Sequence, residues 1–215
     1  MHPVFITGGT GYIGKRLIRK LVSLGYDVTA LVRKGSENKL PAGIRTIIAD
    51  PFDAPTFQQW IPAQAVFVQL LGVSHPSPRK KNLFRTIDLQ SAKTSADAAA
   101  TAQISHFVYV SVAMTASRIM KDFQEVRKEG EAYILSKNLP CTFIRPWYVV
   151  GPGHWWPLFL LPFYGIAELV PAWRPKARTF ALVTINQLVN TLLATIQSAP
   201  QKLRIVEIQQ IRKTN

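Results

Sequence analysis

Eight residues near the start of the chain, Thr7-Gly8-Gly9-Thr10-Gly11-Tyr12-Ile13-Gly14, restrict the fold more than any other stretch. They stand between an apolar, β-rich run, Pro3 to Thr7, and a segment from Tyr12 to Leu24. In that segment Ile13, Leu17, Ile18, Leu21 and Val22 recur at helical spacing. A strand that turns through glycines straight into a helix leaves the first-turn amides unpaired and ready for an anion. Gly8 permits the tight turn, Gly11 lets backbone approach a pyrophosphate, and Gly14 lets the helix pack closely on the strand. Glycines also serve ordinary turns, but this placement favours a dinucleotide site.

The rest of the chain repeats the alternation. Val28 to Val32, Ile44 to Ala49, Ala65 to Leu71, His106 to Ser111 and Cys141 to Arg145 read as further strands. Helices are expected over Ala54 to Trp60, Leu83 to Thr101, Ile119 to Ser136 and Ile185 to Ile196. Gly25 closes the first helix and Thr184 caps the last. Leu203 to Ile208 is a candidate edge strand. Six strands separated mostly by helices predict a doubly wound parallel α/β sheet of Rossmann type, with ligands beyond the carboxyl ends of the strands. The 215 residues are read as one domain, 1–215, in which the aromatic-rich and irregular stretch 147–184 forms a lid or substrate-side region.

The end of the second strand bears on the cofactor. A site for NAD normally places an acidic residue there, against the adenosine ribose. This chain has Leu31-Val32-Arg33-Lys34, so Arg33 with Lys34 can pair with a 2′-phosphate, which favours NADP(H); the alternative is a pair of plain surface cations. Asp50 after the third strand is placed to accept from an adenine amino group or to serve the turn before Pro51. Leu71 and Gly72 follow the fourth strand, where backbone would pass beneath a ribose.

Lys and Arg number 26 against 12 Asp and Glu, a formal charge of +14. That excess attracts phosphate-bearing ligands, nucleic acid or anionic lipid without choosing among them. No zinc knuckle or stacked-aromatic module accompanies it, which argues against nucleic acid. Cys141 is the sole cysteine, so an intrachain disulfide and a cysteine-rich metal site are excluded. No metal site is expected. No basic, apolar leader precedes the first strand, and a cytoplasmic location is expected. The stretch Trp155 to Val170 is too short and too interrupted by Pro157, Pro162 and Glu168 to span a bilayer. It is read as pocket, lid, dimer contact or peripheral membrane contact.

TGGTGYIG at 7–14, LVRK at 31–34, HFVYVSV at 106–112 and LPCTFIRPWYVVGPG at 139–153 appear in this order. With these motifs the sequence resembles the extended and atypical branch of the short-chain dehydrogenase/reductase superfamily, with NmrA-like NAD(P)-binding proteins. In active members of that family a Ser or Thr near the end of the fifth strand polarises the substrate oxygen. A tyrosine one helical turn before a lysine transfers the proton. The resemblance places Ser111 at the first position, Phe123 at the tyrosine and Arg127 at the lysine. Phe123 has no exchangeable proton, and Arg127 stays protonated. Pro146 and Val149 fall where the family borders the nicotinamide.

Tyr133 and Lys137 share the tyrosine-to-lysine spacing but fall near the end of the helix on another face, so they are read as ordinary helix positions. His75, His154, Tyr148 and Tyr164 are the other donors in range of the expected site. Trp147, Trp155, Trp156, Phe159, Phe163 and Tyr164 form either an apolar cavity or a small C-terminal core. The expected function is an NADP(H)-binding oxidoreductase of atypical mechanism, acting on a small apolar or quinone-like acceptor. The alternative is a non-enzymatic NADP(H)-binding redox sensor or assembly protein that works through a protein partner.

Overall fold

The computed structural model describes residues 2–114, 120–155 and 182–214. Strand β1 (Val4–Thr7) enters the glycine turn and helix α1 (Tyr12–Ser23), and β2 (Val28–Val32), β3 (Arg45–Ile48) and β4 (Val66–Gln69) follow. Beyond them come α2 (Lys81–Leu83), α3 (Gln90–Thr101), β5 (His106–Val110), α4 (Lys121–Ser136) and β6 (Cys141–Arg145). The chain then forms β7 (Tyr148–Val150), β8 (Leu182–Thr184), α5 (Ile185–Gln197), β9 (Leu203–Glu207) and α6 (Ile208–Arg212).

Seven strands make one sheet in the order β3-β2-β1-β4-β5-β6-β9, and every neighbouring pair is parallel. Val4 pairs with both Val28 and Val66, which sets β1 between β2 and β4, and the sheet order reverses between β1 and β4. A doubly wound sheet binds its ligand at such a reversal.

Alternation along the strands divides the core. Val4, Ile6, Val66, Val68, Val108 and Ile144 face one side, where α1 and α5 contribute Leu17, Ile18, Leu21, Leu188 and Leu192. Phe5, Phe67, Phe107 and Phe143 face the other, against Ala92, Ala96 and Ala99 of α3 and Ile134 of α4. The small side chains of α3 let it approach the aromatic layer, in which Phe67 lies 5.1 Å from both Phe5 and Phe107. Gly25 closes α1 with φ +78°. Thr184 caps α5: its Oγ1 accepts from the Gln187 amide at 3.1 Å, and its own amide donates to Gln187 Oε1 at 2.9 Å.

The structure differs from the sequence reading at three places. Residues 54–60 form two 3-10 turns, Ala54–Thr56 and Gln58–Trp60, because Pro55 and one buried anchor, Phe57, do not sustain an α-helix. The helix expected from Leu83 begins at Lys81 and passes through a π-helical segment, Phe84–Leu89, before α3. The edge strand expected from Leu203 does form, as Leu203–Glu207 beside β6. At the two ends of the stretch read as irregular, β7 and β8 form a separate parallel pair. The aromatic residues between 156 and 181, Tyr164 included, lie outside the described residues. Among the described residues no helix is long and apolar enough to cross a membrane.

Candidate cofactor site

The glycine turn is built by contacts that only hydrogen side chains allow. Gly8 has φ +73°, and a Cβ there would stand 2.6 Å from the Leu71 amide nitrogen. A Cβ on Gly14 would stand 2.5 Å from the Gly8 carbonyl oxygen, so α1 lies directly on the turn. Gly9 is buried behind it, where a Cβ would meet Ile18 Cδ1 at 2.9 Å. The Gly11 amide donates to the Gly8 carbonyl at 3.0 Å, and Thr10 lies within the same bend. Gly11 caps α1 without a side-chain acceptor, and the first turn carries no acidic residue. The positive end of the helix is therefore open to an anion. Beneath it, Thr7 Oγ1 hydrogen-bonds Gln69 Oε1, and Gln69 Nε2 donates to Ser91 Oγ at 3.0 Å, tying β1, β4 and α3 together.

A cavity of about 630 Å³ opens beyond these strand ends. Gly8, Gly11, Tyr12, Ile13 and Gly14 form one wall, Gly72 to Pro78 a second, and Val110 to Val112 with Phe123 and Arg127 a third. Pro146 to Val149 and Gly153 to His154 complete it. Ser111, Phe123 and Arg127, distant in sequence, thus line the same space, together with Gly72, Pro146 and Val149. Thr7, Gly9, Thr10 and Leu71 do not line it; they support the turn from behind or beside it.

Ser111 Oγ is buried and has no hydrogen-bond partner among the described residues. Phe123 is buried against Phe84, their rings 4.9 Å apart, and presents an apolar surface where the resemblance expects a phenol. Tyr12 hydroxyl is also buried without a partner, and burial raises its pKa, opposed by the charge of Arg16. Burial likewise raises the Tyr148 phenol. Both phenols therefore stay protonated at neutral pH. His154 Nδ1 donates to the Val149 carbonyl at 2.8 Å, and its ring meets that of His75 at 5.0 Å across the cavity. His75 holds φ +51°, a conformation uncommon for a side chain of its size.

Arg127 is the least expected part of the site. Its Nη2 pairs with Asp88 Oδ1, while Nη1 donates to Tyr109 hydroxyl at 3.1 Å and to the Val110 carbonyl at 3.0 Å. Asp88 Oδ2 accepts from the Val73 amide at 3.1 Å. The pair fills the space beside Gly72: a Cβ there would stand 2.5 Å from Arg127 Nη2 and 2.7 Å from Asp88 Oδ1. Burial opposes the Arg127 charge, but Tyr109 and Asp88 outweigh it and hold the guanidinium above its ordinary pKa. Burial pushes the Asp88 carboxyl up, against the lowering effect of Arg127 and the Val73 amide. The cation where the resemblance expects a lysine is thus matched by an anion from the π-helical segment.

Sequence reasoning missed Asp88, Tyr109 and Val73. Phe84 and Asp88 stand one helical turn apart, and both are buried. An acid on an apolar helix face needs a buried partner, and that was the available signal.

The remaining expectations fall outside the cavity. Arg33 and Lys34 are exposed directly after β2, on the side of the sheet that carries the glycine turn. Asp50 is exposed and its Oδ1 accepts from the Phe52 amide at 2.9 Å, the role of a turn residue. Tyr133 donates to Asp97 at 3.0 Å and Lys137 pairs with the same carboxylate at 2.6 Å. That pair ties α4 to α3 and does not line the cavity. Among the described residues no group of three or more His, Cys, Asp or Glu is placed to hold a metal ion.

Comparison with known proteins agrees with this construction. Over 212 residues the chain is 22% identical to ceramide reductase of Caulobacter vibrioides, covering 98% of this chain and 65% of that protein. It therefore spans less than two thirds of that relative's length. MoeE5 in complex with UDP-glucose and NAD superposes with a TM-score of 0.71 at 16% identity, over 97% of this chain and 79% of that one. A UDP-galactose 4-epimerase does so at 0.71 and 15%, over 94% and 75%. Those likenesses show a shared parallel Rossmann-type sheet with added C-terminal elements. The model of the NAD(P)H-binding family matches residues 8–149, from the glycine turn to the strand that closes the cavity, and the chain belongs to that family.

Proposed function

We propose that the chain is an NADP(H)-dependent oxidoreductase that reduces a small apolar, quinone-like acceptor without a tyrosine acid. The observation that carries this reading is the buried, unpartnered Ser111 Oγ in a cavity whose other lining at that end is Val110, Val112, Met120, Phe123 and the Asp88-paired Arg127. A ligand oxygen that accepts from Ser111 removes a cost of about 1–3 kcal/mol for a buried unsatisfied group. The open α1 terminus and the Gly8 cradle fit a pyrophosphate, and Arg33 with Lys34 supports a 2′-phosphate. When bound, the cofactor supplies a hydride, and the protein contributes position and electrostatics.

Phe123 excludes water from one side of the acceptor and offers it no proton. Ser111 orients the acceptor oxygen, and the Asp88-matched Arg127 adds little net charge there. This combination suits an acceptor that needs little acid assistance. The similarity to a ceramide reductase supports an apolar substrate class, and the motif resemblance to NmrA-like proteins supports the atypical branch.

Parallel titration with NADPH and NADH, followed by NADPH oxidation with a short-chain quinone, tests the proposal. Tighter NADPH binding that Arg33→Ala weakens, with turnover that Ser111→Ala lowers about tenfold or more, is the expected result. Equal affinity for the two cofactors removes the NADP(H) assignment. Tight binding without turnover on quinones, flavins or aldehydes removes the enzymatic one. It would favour a cofactor-binding sensor, the reading that Phe123 and the neutralised Arg127 also support.

A further inference from the structure

The wall of the cavity beyond β4 runs directly into Arg79-Lys80-Lys81, the single run of three consecutive cations in the sequence. Ser74 to Pro78 line the cavity, and a 3-10 turn, Pro78–Lys80, follows. Lys80 Nζ donates to the Ser74 carbonyl at 2.5 Å, which folds the cationic run back onto that wall. Arg79 and Lys81 are exposed, and among the described residues no acid pairs with any of the three. Of the acids on the neighbouring helices, Glu129 pairs with Arg85 and Lys93, Asp97 with Lys137, Asp88 with Arg127 and Glu125 with Lys121, and among the described residues none, Asp122 included, pairs with residues 79–81.

Two large apolar side chains are exposed close in sequence to this wall and to the one that faces it. Leu83, two residues past the run, is 42% exposed. On the opposite wall Trp155, 55% exposed, follows His154, whose ring touches that of His75. Cations without an acid partner, with an exposed Leu two residues on and an exposed Trp next to the facing wall, match a headgroup layer, where charge meets lipid phosphate and the apolar groups enter the acyl boundary. A polynucleotide would use the cations but gain little from Leu83.

We propose that this rim, Arg79-Lys80-Lys81 with Leu83 and Trp155, docks on an anionic lipid surface and opens the cavity toward the bilayer. An apolar substrate then passes from the membrane to Ser111 without crossing water, a step that rests on the function proposed above. The docking itself does not.

The test is co-sedimentation of the full chain with vesicles of phosphatidylcholine alone or mixed with phosphatidylglycerol, at two salt concentrations. The wild type is expected to bind the mixed vesicles, less at high salt, and to bind phosphatidylcholine weakly. Near an anionic surface each cation contributes about a fivefold factor, so R79Q/K80Q/K81Q is expected to bind about a hundredfold more weakly. A triple variant of equal charge loss on exposed positions elsewhere, R19Q/K20Q/K213Q, is expected to lose several-fold at most. Trp155→Ser is expected to weaken binding while leaving its salt dependence in place. Equal losses in the two triple variants, equal binding to both vesicle types, or a duplex oligonucleotide bound with matching affinity and the same dependence on residues 79–81 overturns the proposal. The rim variants are expected to keep the wild-type melting temperature and NADPH affinity. Vesicle binding without quinone turnover would retain the docking and remove the oxidoreductase reading.

Discussion

Asp88→Asn isolates the electrostatic arrangement beneath the cavity. The side chain of Asp88 is fully buried and that of Arg127 is 10% exposed, so water contributes little to either charge. Asn keeps the shape and still accepts from the Val73 amide, but it leaves the guanidinium without its anion. Removing one partner of a buried pair costs about 3–5 kcal/mol. Arg127 retains Tyr109 and the Val110 carbonyl, which places the expected loss near the lower bound, about 3 kcal/mol. For a chain of this length that corresponds to a fall of about 6–12 °C in Tm. Urea unfolding followed by tryptophan fluorescence measures it as a shift of the midpoint at constant slope. The double variant D88L/R127M removes both charges and is expected to be more stable than D88N alone. A D88N loss below about 1 kcal/mol, or a double variant no better than the sum of its parts, would refute the account of Arg127 as a locked structural cation.

Three further outcomes follow, two from buried groups elsewhere and one from the glycine beside the pair. Burial, with Arg204 nearby, depresses the His106 pKa to about 4 from an ordinary 6.5. Between those values the unfolded chain binds the proton and the folded chain does not. Stability therefore falls by about 3 kcal/mol as pH drops from 6.5 to 4, and His106→Gln is expected to flatten that slope. A wild-type profile already flat over this window contradicts it. Burial, helped by Glu131, pushes the Cys141 thiol up to about 11, so thiol reagents at neutral pH are expected to react only as the protein unfolds; rapid labelling of the native chain argues otherwise. Gly72→Ala drives a methyl into the Arg127–Asp88 pair and is expected to cost about 1–3 kcal/mol together with cofactor affinity, whereas unchanged melting and binding would show that the pair can move aside.

The sheet was legible because its strands carry two independent signals. Apolar runs such as Val4–Thr7 and His106–Val110 are buried on both faces, and the first ends at Gly8 and the second at Ser111. Helix α1 was legible from the spacing of Leu17, Ile18 and Leu21, all of which the structure buries. The parallel pair of β7 and β8 was not, because three-residue strands formed by residues 148–150 and 182–184 pair across a long separation that leaves no local trace. The π-helical segment was hidden for a related reason: Phe84–Leu89 has ordinary helical composition, and only tertiary packing distinguishes one extra residue per turn.

The candidate site divides along the same line. Phe123 and Arg127 lie one helical turn apart, so counting alone put them on one face of α4, and the end of β5 brought Ser111 to meet them. What counting could not supply was the partner of Arg127, because Asp88 lies on another helix and the pair forms only when the β4 crossover packs on α4. That partner changes the meaning of the replacement. A lysine at this position would carry an ammonium able to reach a bound ribose, whereas Arg127 commits Nη1 and Nη2 to Asp88, Tyr109 and the Val110 carbonyl and keeps only a buried Nε without a partner among the described residues. The pair it forms abuts Gly72 and holds the Val73 amide, so an effect on a cofactor is expected to pass through that backbone. Arg127→Lys is therefore expected to weaken the fold and cofactor binding together instead of restoring the proton transfer that Phe123 has already removed. Retained stability with a gain of turnover in F123Y/R127K would reverse this order of causes and make the two replacements a purely catalytic loss.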